Sequence, residues 1–255
     1  LLTDLLFPLG CDAEAGVSQT ALDNLRRRLV RRVFRRPSAL LYNGLPARRL
    51  SALVNPSTQP VPAFFQPGGV IIGSVGRISK QKDYRTLVAA LPHVLQRIPA
   101  ARLMLVGDGE LREELKAQAE ALGIQERVIF AGQQQDIDPY LAAMNLFVLP
   151  SLWEGLPTVL LESMAAGIPV VASDIPGNRD LVEEGVTGWL APPADPIALA
   201  KVIVAALSDA EGRANAVKAA RQHAARFSMD IIAADHLALY RHLRPRLFPE
   251  EVPHV

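Results

Sequence analysis

The stretch SLWEGLPTVLLESMAAGIPVVAS, residues 151–173, sets Glu154 and Glu162 eight positions apart around a Gly-Leu-Pro turn. Pro157 suits the first turn of a helix, where its missing N–H costs nothing. Glu154 then falls in the loop before that helix. Glu162 falls inside it, one turn beyond Thr158 and on the same face. Gly155 lets backbone approach a ligand closely. The free amides near Thr158 and Val159, with the positive end of the helix dipole, make an anion site. Carboxylates repel phosphate, so these two should meet something else, and one carboxylate can accept two sugar hydroxyls at once. The pattern predicts a diphosphate at the helix tip with a sugar on either side. An isolated pair at this spacing has a plainer reading, as helix-start acids that offset the dipole.

Such a pair needs elements to hold it. From Val70 onward, short apolar runs alternate with helically spaced segments. Strands are expected at 70–75, 101–107, 127–132, 146–150, 168–173 and 187–191. Helices are expected at 84–96, 110–123, 138–144, 157–167, 178–185 and 195–208, the last opened by Asp195 as N-cap and Pro196 at the first helical position. Strands that are apolar throughout and alternate with helices predict a parallel sheet covered on both faces. This is a doubly wound, Rossmann-like α/β domain, with its ligand outside the carboxyl ends of the strands. Two further helices are expected at 210–227 and 229–243, with residues 252–255 loose.

The N-terminal portion differs. Residues 1–10 suit a strand, 21–36 a helix, and 39–46 a strand with a turn. These are too few elements for a stable domain. Residues 1–55 are therefore expected to be the remnant of a preceding domain, and the Pro-rich 56–69 a linker. The chain opens on Leu1 rather than methionine, which fits an expectation of further residues upstream.

Composition excludes several classes. The 255 residues are about half apolar and carry a net charge of +1, so no overall field favours nucleic acid. Residues 22–36 hold seven arginines and one acid, Asp23, which leaves −5 elsewhere. That helix could lie on anionic lipid, or be solvated with its leucine stripe packed on its own domain. Cys11 is the single cysteine, which excludes an internal disulfide and a cysteine-rich metal site and suits a reducing, cytoplasmic setting. No apolar run reaches the ~18 residues of a membrane span. The VGDGE run at 106–110 is a poor dinucleotide fingerprint, because Arg112 stands where a third glycine belongs and Asp108 would repel pyrophosphate. The five histidines lie outside the motif loops, and no metal or cofactor is expected.

The segment at 151–173 closely resembles the donor-site signature of the group 1 glycosyltransferases, retaining enzymes of GT-B architecture. GSVGRISKQKD at 73–83 looks like that family's Gly-Arg-x4-Lys segment, and LMLVGDGELREEL at 103–115 like its Val-Gly-Asp-Gly strand end. VIFAGQQQDIDPYLAAMNLFVLPS at 128–151 resembles its base-pocket strand, and DIPGNRDLVEEGVTGWLAPPAD at 174–195 resembles the family's segment C-terminal to the glutamates. LLYNGLP at 40–46 resembles the turn between its two domains. Asp83 and Asp180 depart from the family pattern, which often has Gly and Glu there.

The resemblance implies the C-terminal, donor-binding half of a GT-B fold over 70–228, with the helix at 229–243 crossing to the first domain. It implies that Arg77 and Lys82 bind the donor diphosphate as leaving group and that Glu154 contacts the transferred sugar. Glu162 would bind the ribose. Backbone of Gly76, Gly155, Leu156, Pro157, Thr158 and Val159 would help hold sugar and phosphate, and the backbone from Gln134 to Ile137 would meet the base. The implied reaction is retaining transfer of a hexose from a UDP- or GDP-type sugar to a saccharide or lipid-linked hydroxyl acceptor, without metal, in polysaccharide or glycolipid assembly. The Arg-rich helix at 21–36 would offer peripheral contact at the inner face of the membrane. The alternative is a module that binds nucleotide sugar without turnover, or one half of a two-chain transferase.

Overall fold

The computed structural model describes residues 13–27, 37–54 and 69–244. The strand expected at 1–10, the C-terminal part of the Arg-rich helix (28–36), nearly all of the linker and the 252–255 tail lie outside the described residues.

Six strands form one fully parallel sheet: β3 (Val70–Val75), β4 (Ala101–Val106), β5 (Val128–Gly132), β6 (Leu146–Leu149), β7 (Val170–Ser173) and β8 (Trp189–Ala191). Their spatial order is β5-β4-β3-β6-β7-β8. The chain therefore winds outward one way from β3 and the other way from β6, and the switch point lies between those two central strands. Covering helices are α3 (Tyr84–Leu95), α4 (Arg112–Ala121), α5 (Asp138–Ala142), α6 (Thr158–Ala166), α7 (Pro176–Arg179), α8 (Pro196–Ser208) and α9 (Ala210–Ala225).

The unbroken apolar strands follow from burial on both faces. Met104 and Val106 of β4 join Phe147, Leu149, Val170 and Ala172 in a core shared with Leu160, Leu161 and Met164 of α6 and Ala220 of α9. Leu103 and Leu105 point the other way, into a core with Leu87, Val88 and Leu91 of α3, Leu115 of α4 and Leu199 and Ile203 of α8. Each such leucine, essentially inaccessible, contributes about 1.5–3 kcal/mol of burial. As expected, Asp195 caps α8, accepting from the amides of Ile197 and Ala198 at 3.0 and 2.9 Å.

Three expectations change. The helix expected at 178–185 is only the four-residue α7, Pro176–Arg179. A side chain ends it, because the Glu183 amide donates to Thr187 Oγ1 at 2.9 Å rather than to a helical carbonyl. The strand expected at 39–46 is β2, only Ser38–Leu40. It pairs in parallel with β1 (Glu14–Gly16), with α1 (Gln19–Arg27) as the crossover. A helix that was not expected, α2 (Ala47–Val54), then packs on α6. The final helix α10 (Met229–Leu243) has the expected bounds. Leu45 binds this C-terminal end to the N-terminal unit, its amide donating to Phe227 O and its carbonyl accepting from Met229 N, both at 2.8 Å.

Asp180 joins the β1–α1–β2 unit to the sheet domain. Its Oδ2 accepts the Gln19 amide at the start of α1, at 2.8 Å, while Ser18 Oγ accepts the amide of Ala21 at 3.1 Å. Burial, with Asp23 nearby, pushes the Asp180 carboxyl above its ordinary range.

Candidate active site

The loops after β3 and β6 meet across the switch point. The Leu152 amide donates to Gln81 O at 2.8 Å, and Gln81 Nε2 donates to Trp153 O at 3.0 Å. This tie brings Lys82, from the β3 side, onto Glu154, from the β6 side. Lys82 Nζ and Ser151 Oγ donate to Glu154 Oε1 at 2.6 and 2.7 Å, and Gln81 Nε2 donates to Oε2 at 3.3 Å. The pair is well shielded, with side-chain exposures of 15% for Lys82 and 7% for Glu154. Behind it runs a buried polar chain, in which Ser173 Oγ bonds the Ser151 carbonyl and Asn178 Nδ2 reaches Ser173 Oγ at 3.1 Å. Gly177 completes the support, since a Cβ there would lie 2.5 Å from Glu154 O.

Asp83, next to Lys82, adopts a left-handed conformation with φ 45° and ψ 45°. That backbone explains why a glycine would be at home there. Aspartate is among the few side chains that tolerate it, and Thr86 Oγ1 donates to its Oδ2 at 2.6 Å.

Beside this cluster lies a cavity of about 550 Å³ at the carboxyl ends of β3, β4 and β5. Its lining includes Gly76, Arg77, Gly107, Asp108, Gln134 and Ile137. Its floor depends on backbone crossing backbone. Gly107 has φ 130°, and a Cβ on it would lie 2.0 Å from the Gly76 carbonyl oxygen. The Gly76 amide donates to Val106 O at 2.9 Å, and the Gly107 amide to Gly132 O at 2.8 Å. Gly107→Ala should therefore cost about 2–4 kcal/mol through strain and overpacking. The midpoint of urea unfolding measures it, and an unchanged midpoint would count against this account of the cavity floor. Asp108, in the cavity lining, is held by two donors. The Gly109 amide, at 2.8 Å, and Arg112, at 2.7 Å, both donate to it and hold its carboxyl below the usual range.

The third part is the tip of α6. Pro157 is its N-cap in extended conformation, and no side chain caps the helix. The first amides, at Thr158 and Val159, have no acceptor among the described residues, the usual state of a helix start open to an anion. Leu156 and Pro157 are buried, whereas Gly155 and Thr158 are exposed.

The expected site residues thus fall into neighbouring groups. Gly76, Arg77, Gln134 and Ile137 line the cavity, and Lys82 and Glu154 form the shielded pair. The two cations do not share one partner. Arg77 extends along the cavity rim to Glu110, its Nε 3.2 Å from Oε2, with 75% of its side chain exposed. Glu162 is already engaged, because Arg49 of α2 donates Nε to its Oε1 at 2.8 Å. Arg49 was not foreseen. The signal was Pro46 before a short segment with Leu50 and Leu53 three apart, which reads as a helix start.

A doubly wound parallel sheet with a cavity at the carboxyl ends of β3, β4 and β5 and an uncapped helix tip beside its switch point is the architecture of the C-terminal domain of GT-B transferases. Residues 59–223 match the family model described as glycosyl transferases group 1, and the chain belongs to that family. Over 162 residues it is 39% identical to the Vi polysaccharide biosynthesis protein VipC/TviE of Salmonella typhi, covering 59% of this chain and 27% of that protein. It is 37% identical over 139 residues to the lipopolysaccharide core biosynthesis glycosyltransferase LpsE of Rhizobium meliloti, covering 54% of this chain and 40% of that one. Among solved structures, Anabaena HepE in complex with UDP and glucose superposes with a TM-score of 0.75 at 27% identity, over 90% of this chain and 64% of HepE. The chain thus spans well under half the length of these curated relatives. Among the described residues, no helix is long and apolar enough to cross a membrane.

Proposed function

We infer that the chain supplies the donor-binding half of a retaining glycosyltransferase, which moves a hexose from a nucleoside diphosphate sugar to a hydroxyl acceptor. The observation that carries this reading is the closeness of the cavity at the ends of β3, β4 and β5 to the Lys82–Glu154 pair and the uncapped tip of α6 at the switch point beside it. A nucleoside fits the cavity, with the backbone of Gln134 to Ile137 beside the base and Glu162 on the ribose. The diphosphate lies between Arg77, Lys82 and the α6 tip, and Glu154 faces the transferred sugar. As the glycosidic bond breaks, the leaving diphosphate gains negative charge. Two cations and a helix end worth roughly +0.5 charge stand where that charge grows, which is where stabilisation raises the chemical rate. No step in this scheme requires a metal or cofactor. The names of the relatives support a place in polysaccharide or lipopolysaccharide assembly; the proposed acceptor is a saccharide or lipid-linked hydroxyl, and the proposed setting the cytoplasmic face of a membrane.

A second reading is a module that binds nucleotide sugar and needs a separate acceptor domain for turnover. Calorimetric titration with UDP and GDP tests the shared part and identifies the donor class. Binding of neither nucleotide would remove both readings. Hydrolysis or transfer of the sugar by the chain separates the enzyme from the module.

Glu162→Ala should weaken binding of UDP or GDP about tenfold or more, the worth of a hydrogen bond to a charged group. It should leave binding of a free hexose 1-phosphate unchanged. Equal losses for both would move Glu162 off the ribose.

A further inference from the structure

One guanidinium joins the two sides of the nucleoside site. Arg49 Nε donates to Glu162 Oε1 on α6 at 2.8 Å, and its Nη1 lies 2.5 Å from Asp138 Oδ1 at the start of α5. Asp138 follows Ile137, which lines the cavity. All three side chains are mostly shielded, with exposures of 24% for Arg49, 17% for Glu162 and 23% for Asp138. Glu162 Oε2 accepts no hydrogen bond among the described residues. The helix that carries Arg49 is firmly seated: Leu53 is 2% exposed in the core that holds Leu156 and Leu160, and Leu45 just before it is bonded to Phe227 and Met229.

This geometry needs a planar fork. A guanidinium presents several N–H donors in fixed directions and stays charged, so it can bind two carboxylates on different elements at once; an ammonium on a flexible stem holds neither in a set direction. Two acids facing one ligand would also repel each other without a cation between them.

We propose that Arg49 is a positioning residue for nucleoside recognition. It commits one oxygen of Glu162 and leaves the other for the ribose hydroxyls. Arg49 itself touches no ligand. The proposal rests on the reading of Glu162 as the ribose ligand.

The test is calorimetry on the chain with UDP or GDP, whichever binds more tightly, and with its 2′,3′-dideoxy counterpart. The wild type should prefer the ribonucleotide by about tenfold or more, as expected for hydroxyls bound to a carboxylate. Arg49→Met keeps the apolar stem and removes the fork. It should bring that preference below about threefold while moving the dideoxy affinity less than about twofold, because only the oriented bond is lost. Arg49→Lys, the milder change for folding, should restore part of the preference. An unchanged preference in both variants overturns the proposal. So does an equal loss for both ligands, which marks a merely structural role, and so does tighter ribonucleotide binding, which would make Arg49 a competitor of the ribose. Glu162→Ala separates the two levels. If it leaves the wild-type preference intact, the ribose reading of Glu162 fails first. If it abolishes the preference while Arg49→Met and Arg49→Lys retain it, only the role of Arg49 falls.

Discussion

Lys82→Ala should lower donor turnover by about 10²–10³-fold, the usual effect of removing one oriented group that stabilises developing charge. It should destabilise the fold as well. Glu154 keeps only 7% side-chain exposure, and its shortest bond, at 2.6 Å, comes from Lys82. Removing one partner of such a pair leaves a shielded carboxylate with only Ser151 and Gln81, a loss that reaches about 3–5 kcal/mol when a pair is fully buried. The two effects are read separately, by steady-state turnover of the donor and by denaturant unfolding. A variant that turns over normally would detach Lys82 from the chemistry. One that unfolds at the wild-type midpoint would show that the pair matters little to the fold. Lys82→Arg should recover stability better than turnover, since it restores the charge but not the placement of a single ammonium.

Arg77→Ala should show the opposite balance. The predicted loss is about 2–4 kcal/mol of transition-state stabilisation, as for one charge-assisted donor aimed at a leaving group. The fold should hardly notice, because exposed substitutions away from special features stay within about 0.5 kcal/mol. Arg77 is 75% exposed, and its ion-pair partner, Glu110, is 51% exposed. Such a surface pair contributes little, so Arg77 is free to leave it for an incoming diphosphate. Unchanged turnover would take Arg77 out of the mechanism. A large drop in the unfolding midpoint would contradict its rim position.

The sheet was legible in the sequence because its strands are buried on both faces. Residues 103–106 read as one apolar run, and the structure divides them between two cores, Met104 and Val106 to one side, Leu103 and Leu105 to the other. The types of the site residues were legible for a similar reason: glycine, proline and acid at set spacing around a helix start have few uses. Their partners were not legible. Lys82 and Glu154 are 72 positions apart, and Arg49 and Glu162 are 113 apart, so topology rather than local pattern selects each pair. The helix holding Arg49 carries a weak sequence signal because ARRLSALV is short and runs into a Pro-rich segment. At the other end of the domain, NRDLVEEG carries helical spacing but not a long helix. Thr187 draws the Glu183 amide away from a helical partner, a competition that a periodicity argument does not weigh.

The bond from the Gln19 amide to Asp180 spans 161 positions of sequence and crosses the seam between the small N-terminal unit and the sheet domain. Any hinge motion that opens the seam there must strip a helix-start amide of its acceptor. A lost cap of this kind is worth about 1 kcal/mol, or roughly a fivefold change in an open-to-closed ratio. That bond adds to those of Leu45 with Phe227 and Met229, so loss of the Asp180 carboxylate should loosen the N-terminal unit on the sheet domain without freeing it.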